Sequence, residues 1–422
     1  MLRLVLVCLT AGCGAQTSVA TYETYEGCEA PATVFTRTVY VDPVNGSDGG
    51  DGTSASPWKT LATALTAKQI VAGDHVILLP GDHGAVQVSK YSNAALVDAP
   101  AWTWFDVHAG ATFSRLDIRD MSRWLITHAE VSNHSGTLVS FAGGSNIVFS
   151  DGDLYTERDS SGFSADQWIN QTADGLSTRN THCAALLRNK LTNIRFGISV
   201  SSDAKPVPDN QVNVLAKDNQ IHNFSGDGMR PIGSNITFAG NQIVDEYVNA
   251  ADGDANHDDG IQGFALDGAV YDHVVIDGNW IQETTDPNRA FNADLQGISV
   301  FDGLYTNMLV THNVVLTGAY HGIALFGPKD AVIERNTVVG IVPGRKLWIT
   351  APPSKTGVVP VNTVVRNNIA STYVLDPAVT SENNPTVTTD EAPTKFVQFD
   401  LAKAAFDLHL LPTAGITGAG AY

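Results

Sequence analysis

Between residues 186 and 370, apolar and polar positions alternate in short runs that keep returning to one frame. ALLRNKL, LAKDNQI, TFAGNQI, VIDGNWI, LVTHNVV, VIERNTV and VVRNNIA align on Asn189, Asn219, Asn241, Asn279, Asn313, Asn336 and Asn367. Three residues before each Asn stand Leu186, Ala216, Phe238, Ile276, Val310, Ile333 and Val364. Two residues after it stand Leu191, Ile221, Ile243, Ile281, Val315, Val338 and Ile369. Both columns are wholly apolar. The position two before the Asn is mixed: Leu187, Lys217, Ala239, Asp277, Thr311, Glu334 and Val365. Such alternation predicts strands with one face inside and one in solvent.

The anchors lie 30, 22, 38, 34, 23 and 31 residues apart. A repeat of about 22 residues suits one bare coil of a solenoid, and the longer spacings add loops. Stacked Asn side chains at a turn bond the coils above and below. The predicted fold is all-β: a single-domain right-handed parallel β-helix with an N-terminal helical cap and loop insertions. At least seven complete coils are expected between residues 110 and 370. WLITHAEV and NIVFSDGDL fit the frame less cleanly.

A second column centres on Gly197, Gly228, Gly260, Gly297 and Gly322. Just before the Gly stand Phe196, Asp227, Asp259, Gln296 and His321. Two residues after the Gly, the row reads Ser199, Arg230, Gln262, Ser299 and Ala324. Equivalent positions on successive coils lie about 4.8 Å apart, so Asp227 and Asp259 are expected as neighbours. Asp258, Arg230 and Gln262 join them in a polar patch. The insertions 244–259 and 282–296 flank it, as groove-forming loops do. The first carries Asp252, Asp254, Asn256 and Asp258 at alternate positions, a pattern that suits calcium but lacks the full EF-hand spacing.

The formal charge is -19, from 44 acidic and 25 basic residues. Such a chain lacks the basic field that nucleic acid or an anionic membrane requires. Residues 1–20 read as a signal peptide: Met1-Leu2-Arg3, the apolar run Leu4 to Leu9, and a small-residue end at Ala20. Thr10-Ala11-Gly12-Cys13 also suggests a lipid-attachment site at Cys13. The chain is therefore expected to be secreted or periplasmic, or an outer-membrane lipoprotein, with no transmembrane segment and as a monomer. Cys28 and Cys183 remain after processing and suit either one disulfide or two free thiols. The expected division is a linker over 21–38, the N-terminal cap and first coils over 39–105, the β-helix core over 106–375 and a C-terminal cap or tail over 376–422.

Residues 39–65, VYVDPVNGSDGGDGTSASPWKTLATAL, resemble the opening segment of exported β-helix proteins, and FDLHLLPTAGITGAGAY resembles their tail. SGDGM followed by NHDDGI resembles the paired motif of calcium-dependent pectate lyases that use a lysine base. That resemblance implies Asp227, Asp258 and Asp259 as calcium ligands, with Asp254 added from the loop pattern. Gln262 stands where the family has a further Asp, and Ser299 where its lysine base is expected. Asp227, Asp258, Asp259 and His321 also follow the motif order of polygalacturonases, without their trailing Arg-x-Lys.

The expected function is a polysaccharide lyase that cleaves a uronic-acid-containing, acidic glycan by β-elimination with Ca2+. Arg230, Lys217, His257 and His321 are the catalytic candidates, with Gln262, Gln296, Tyr320 and Arg289 for substrate binding. Trp280, Phe291 and Tyr305 are further sugar-stacking candidates. One alternative is an inverting hydrolase using Asp227, Asp258 and Asp259, because stacked carboxyls push one another's pKa apart. A non-catalytic glycan-binding β-helix or adhesin is the other.

Overall fold

The computed structural model describes residues 22–203, 205, 209–291 and 293–422. The proposed signal peptide and Cys13 lie outside these residues. Three parallel sheets of 13, 11 and 11 strands enclose one core. The chain visits each in turn. Ser234–Ala239, Gln242–Glu246 and Asp259–Phe264 complete a coil, and Val274–Asp277 then pairs in parallel with Ser234–Ala239. This is a parallel β-helix, and its 11-strand sheets meet the expectation of at least seven coils.

The two apolar columns form its interior. Leu186 pairs with Ala216, then Phe238, Ile276, Val310 and Ile333 follow in register, all 0% exposed. Leu191, Ile221, Ile243, Ile281, Val315 and Val338 stack likewise in the next sheet. Between them runs the Asn ladder. Asn219 Oδ1 accepts both the backbone N–H (2.9 Å) and the side-chain amide (3.0 Å) of Asn189. The pattern repeats through Asn241, Asn279, Asn313 and Asn336. Each turn is entered through a residue in the left-handed region, such as Asp218 (φ 56°) or Arg335 (φ 52°). In the Asn219 turn the backbone N–H groups of Asp218, Asn219 and Gln220 donate to Ala239 O, Asn241 Oδ1 and Asn189 O, so the buried donors are paired.

The last rung corrects the sequence reading by one residue. Asn336 bonds to Asn368, not Asn367, and Asn367 takes the left-handed position before it (φ 55°). Val365 and Ala370 therefore face the core, paired with Ile333 and Val338.

Glycine in the second column answers to packing. A Cβ on Gly228 would lie 2.5 Å from Ile243 Cγ2, and one on Gly260 would lie 2.5 Å from Ile281 Cγ2. The coil turns so tightly there that only Gly lets the inner column pass.

The two termini cover two of the three outer faces. Tyr22, Tyr25, Ala32 and Phe35 pack over Trp102, Leu125, Val148 and Leu187 on the 13-stranded sheet. Cys28 and Cys183 form a disulfide that holds this segment there, so 22–38 is packed rather than a free linker. The C-terminal hairpin, Phe396–Asp400 and Ala405–Leu410, packs over Val314, Leu316, Val339 and Ile369 of an 11-stranded sheet. The short helix Leu61–Thr66 buries Leu61, Ala64 and Leu65 in the main core. Among the described residues, no helix is long and apolar enough to cross a membrane. Among the described residues, neither terminal segment covers the outer face of the third sheet, which contains Asp259–Phe264.

Candidate active site

On that third face the predicted rows stand in register. Asp259 pairs with Gln296, Gln262 with Ser299 and Ser199 with Arg230. Asp227 lies just before the strand Met229–Ile232, and Asp259 opens the adjacent strand. Asp227 is buried, and its Oδ1 accepts the backbone N–H of Asp259 at 2.9 Å. Its Oδ2 takes Arg230 Nε at 2.6 Å, and Arg230 Nη2 lies equally close. Burial pushes the Asp227 carboxyl up to about 6; the Arg230 charge opposes this and the Asp259 charge adds to it. The Arg230 guanidinium also lies 3.7 Å from the centre of the Phe196 ring. Arg230 is thus first a counter-ion of Asp227.

Asp259 is 0% exposed. Its Oδ2 accepts Gln262 Nε2 at 2.8 Å, and His257 Nδ1 lies 3.6 Å away. Its Oδ1 has no partner among the described residues. A buried carboxylate oxygen left open is costly unless a water or substrate completes it. The Asp259 carboxylate beside it raises the His257 pKa.

Asp258 faces a neighbouring pocket of about 120 Å³, lined also by Glu246, Asn249, His257, Asp294 and Gln296. Burial, then the charges of Asp227 and Asp254, push its carboxyl up to about 7. Glu246 was not anticipated from the sequence. It is buried, and burial followed by the charges of Asp258 and Glu283 holds its pKa well above the ordinary carboxyl range. On the two coils before it the same position is apolar, held by Ile194 and Phe224. That break in an apolar column was the available signal. Glu283, also buried, accepts the N–H groups of Leu295 (3.0 Å) and Gly318 (2.7 Å) and so pins the 282–296 loop. A second cavity of about 340 Å³ extends from Asn256, His257 and Gln262 to Phe301 and Asp302. A third, of about 330 Å³, shares Phe301 and Asp302 and reaches Lys355.

The other expected residues divide. Gln296 Oε1 contacts His321 Nδ1 at 3.1 Å, and burial lowers the His321 pKa. Tyr320 is exposed beside them and stacks on Trp348. Arg289 serves the loop instead, donating to the carbonyls of Glu246 and Glu283. Lys217 lies on the 13-stranded sheet, where Glu23 of the N-terminal segment binds it at 2.6 Å. It is not brought to the site, because its strand faces a different side of the solenoid. Tyr305 is core, its hydroxyl donating to the Pro231 carbonyl at 2.7 Å, and Trp280 packs under the C-terminal hairpin.

The carboxylates as placed do not fit the calcium cage that the resemblance implies. Asp227 is occupied by Arg230 and a backbone N–H, and Asp254 Oδ2 takes Arg195 at 3.2 Å. Asp258 Oδ1 is bonded by Asn256. Among the described residues, no three His, Cys, Asp or Glu side chains converge as metal ligands do.

No family description and no curated protein matches the chain. Solved structures do. A rhamnogalacturonan lyase is similar over 92% of this chain and 100% of its own, at 14% identity and a TM-score of 0.40. For a pectate lyase the figures are 92%, 91%, 15% and 0.38. For the GH136 lacto-N-biosidase of Eubacterium ramulus they are 83%, 64%, 12% and 0.44. Likenesses this distant carry no chemistry, which rests on the side chains themselves.

Proposed function

We propose that the chain is a polysaccharide-cleaving enzyme whose paired carboxyl groups hydrolyse a glycosidic bond. One observation carries this reading: the open Asp259 Oδ1 lies next in sequence to Asp258, a carboxyl whose pKa near 7 keeps much of it protonated at neutral pH. Hydrolysis needs that division of labour, an acid that holds its proton and a carboxylate that takes one. Asp258 gives its proton to the glycosidic oxygen as the C1–O bond breaks. Asp259, oriented by Gln262 and by the Asp227 latch, takes a proton from the water that attacks C1.

The acidic pocket bears on substrate as well. Glu246, Asp258 and Asp294 line it with His257, and the Asp258 proton and the imidazole are donors that a sugar hydroxyl can accept. The Cys28–Cys183 disulfide supports work in an oxidising compartment outside the cytoplasm.

β-Elimination of an acidic glycan is the second reading, and His321 favours it. Its lowered pKa keeps the imidazole neutral, and with Nδ1 turned to Gln296 the other nitrogen is a candidate base for the C5 proton. The two readings separate in one assay on neutral and uronate polymers, with and without chelator. Hydrolysis yields new reducing ends without ultraviolet absorbance. Elimination yields an unsaturated, absorbing product, and its appearance would overturn the hydrolytic reading.

A further inference from the structure

The face that neither terminus covers carries more than carboxylates. Aromatic rings run across its strands in a continuous strip. Tyr320, 55% exposed, stacks on Trp348 with ring centres 5.6 Å apart and planes 27° apart. Trp348 lies 5.3 Å from His321, His321 lies 4.8 Å from Phe301, and Phe301 lies 6.2 Å from His257. His257 in turn reaches Asp259. In register, Asp259, Gln296, His321 and Trp348 occupy one row on four successive strands, which places Trp348 about 14 Å from Asp259 along the solenoid.

Tyr320 is exposed and yet held in place. Trp348 supports one side of the ring, and the Arg345 guanidinium lies 5.5 Å from its centre. Arg345 is itself fixed by the Gly318 carbonyl at 2.6 Å and by Asp294 at 2.8 Å, and Asp294 also lines the Asp258 pocket. A rigid, flat, partly apolar platform beside a polar cleft suits the apolar face of a pyranose ring, whose C–H bonds meet the negative face of the aromatic system.

We infer that the strip from Tyr320 to Phe301 is a binding track for a glycan chain, holding pyranose rings across successive coils on one side of the bond cleaved beside Asp259. The inference rests on the glycan-cleaving reading for its ligand class, and the two fail separately. The track makes length matter: a polymer that reaches Tyr320 binds more tightly than a fragment that stops short of it.

The test is affinity electrophoresis of the full chain through gels containing xylan, galactan, glucomannan, pectate or alginate, paired with cleavage rates on the same polymers. At least one polymer is expected to retard the wild type. Tyr320→Ala should weaken that retardation on the order of fivefold, as loss of one stacking contact does, and raise KM for the polymer similarly. Tyr320→Phe should retain it. Tyr91→Ala, which removes an 89% exposed tyrosine remote in sequence, should leave it unchanged. Circular dichroism confirms that each variant is folded. Retardation of Tyr320→Ala equal to wild type, or of no variant by any polymer, overturns the track. A polymer that binds through Tyr320 but is never cleaved leaves the track standing and overturns the catalytic reading. Cleavage with Tyr320→Ala unimpaired does the reverse.

Discussion

Asp227 Oδ1 accepts the backbone N–H of Asp259 at 2.9 Å, so one buried carboxylate fixes the start of the strand that presents the other. Arg230 on the opposite oxygen keeps the Asp227 charge compensated. Asp227→Ala removes both acceptors at once. It should cost about 3 kcal/mol, the scale of stranding a buried donor and its charged partner. Urea unfolding checks this. Arg230→Ala leaves the latch intact and lets Asp227 take up a proton, so it should cost less stability and keep more than about a tenth of the activity. A folded Arg230→Ala chain that loses at least about 100-fold would make Arg230 a transition-state contact instead.

The pH profile should show the Asp258 proton. General acid catalysis requires the protonated form, so kcat/KM should fall as pH rises through about 7. Asp258→Asn should lower kcat by on the order of 100- to 10,000-fold at every pH. A profile flat from pH 6 to pH 9 would remove Asp258 from the acid role.

Stability should follow the same group with the same sign. The folded carboxyl titrates near 7, against a reference of 3.8 for an ordinary Asp. The folded chain therefore binds more protons than the unfolded one between these values. That contribution is fully present below the lower value and is lost as pH rises through the upper one. Glu246, raised for similar reasons, acts in the same direction. Melting temperature should decline across this window, and Asp258→Asn, neutral at every pH, should decline less. Equal slopes in calorimetry would contradict the assignment.

The ladder can be tested at its middle. Asn279 Oδ1 accepts from the backbone and side chain of Asn241, and its amide donates to Phe238 O and Asn313 Oδ1. Asn279→Ala should cost at least about 2 kcal/mol, because a buried backbone N–H loses its acceptor. Asn384, at the end of the ladder and part-exposed, should tolerate alanine better. Denaturant midpoints of the two variants make the comparison.

The fold was legible because a solenoid writes one structural rule many times. Asn219, Asn241 and Asn279 recur with the same apolar neighbours because each sits in the same turn. The rows through Asp227, Asp259 and Gln296 followed from strand register alone. The rule failed where it allowed two phases. At Asn367-Asn368 both residues suit the anchor, and only packing of Val365 over Ile333 decides between them. Lys217 was misplaced because alternation shows that a side chain points outward but not which of three faces it leaves. Glu246 was missed because its position reads as core, and its neighbour Asp258 lies in a loop whose length hides the contact. Phe301 and Trp348 meet His321 only across coils, at separations that no local pattern carries.

The central claim is that Asp258 and Asp259 hydrolyse a glycan on the uncovered face. Its most direct test is product analysis of wild type and folded Asp259→Asn on the polymer that the wild type cleaves fastest. Reducing ends should appear without ultraviolet absorbance in the wild type, and at a rate at least about 100-fold lower in the variant, whose amide cannot accept the proton of the attacking water. An absorbing unsaturated product, or an Asp259→Asn chain as fast as wild type, would contradict the account.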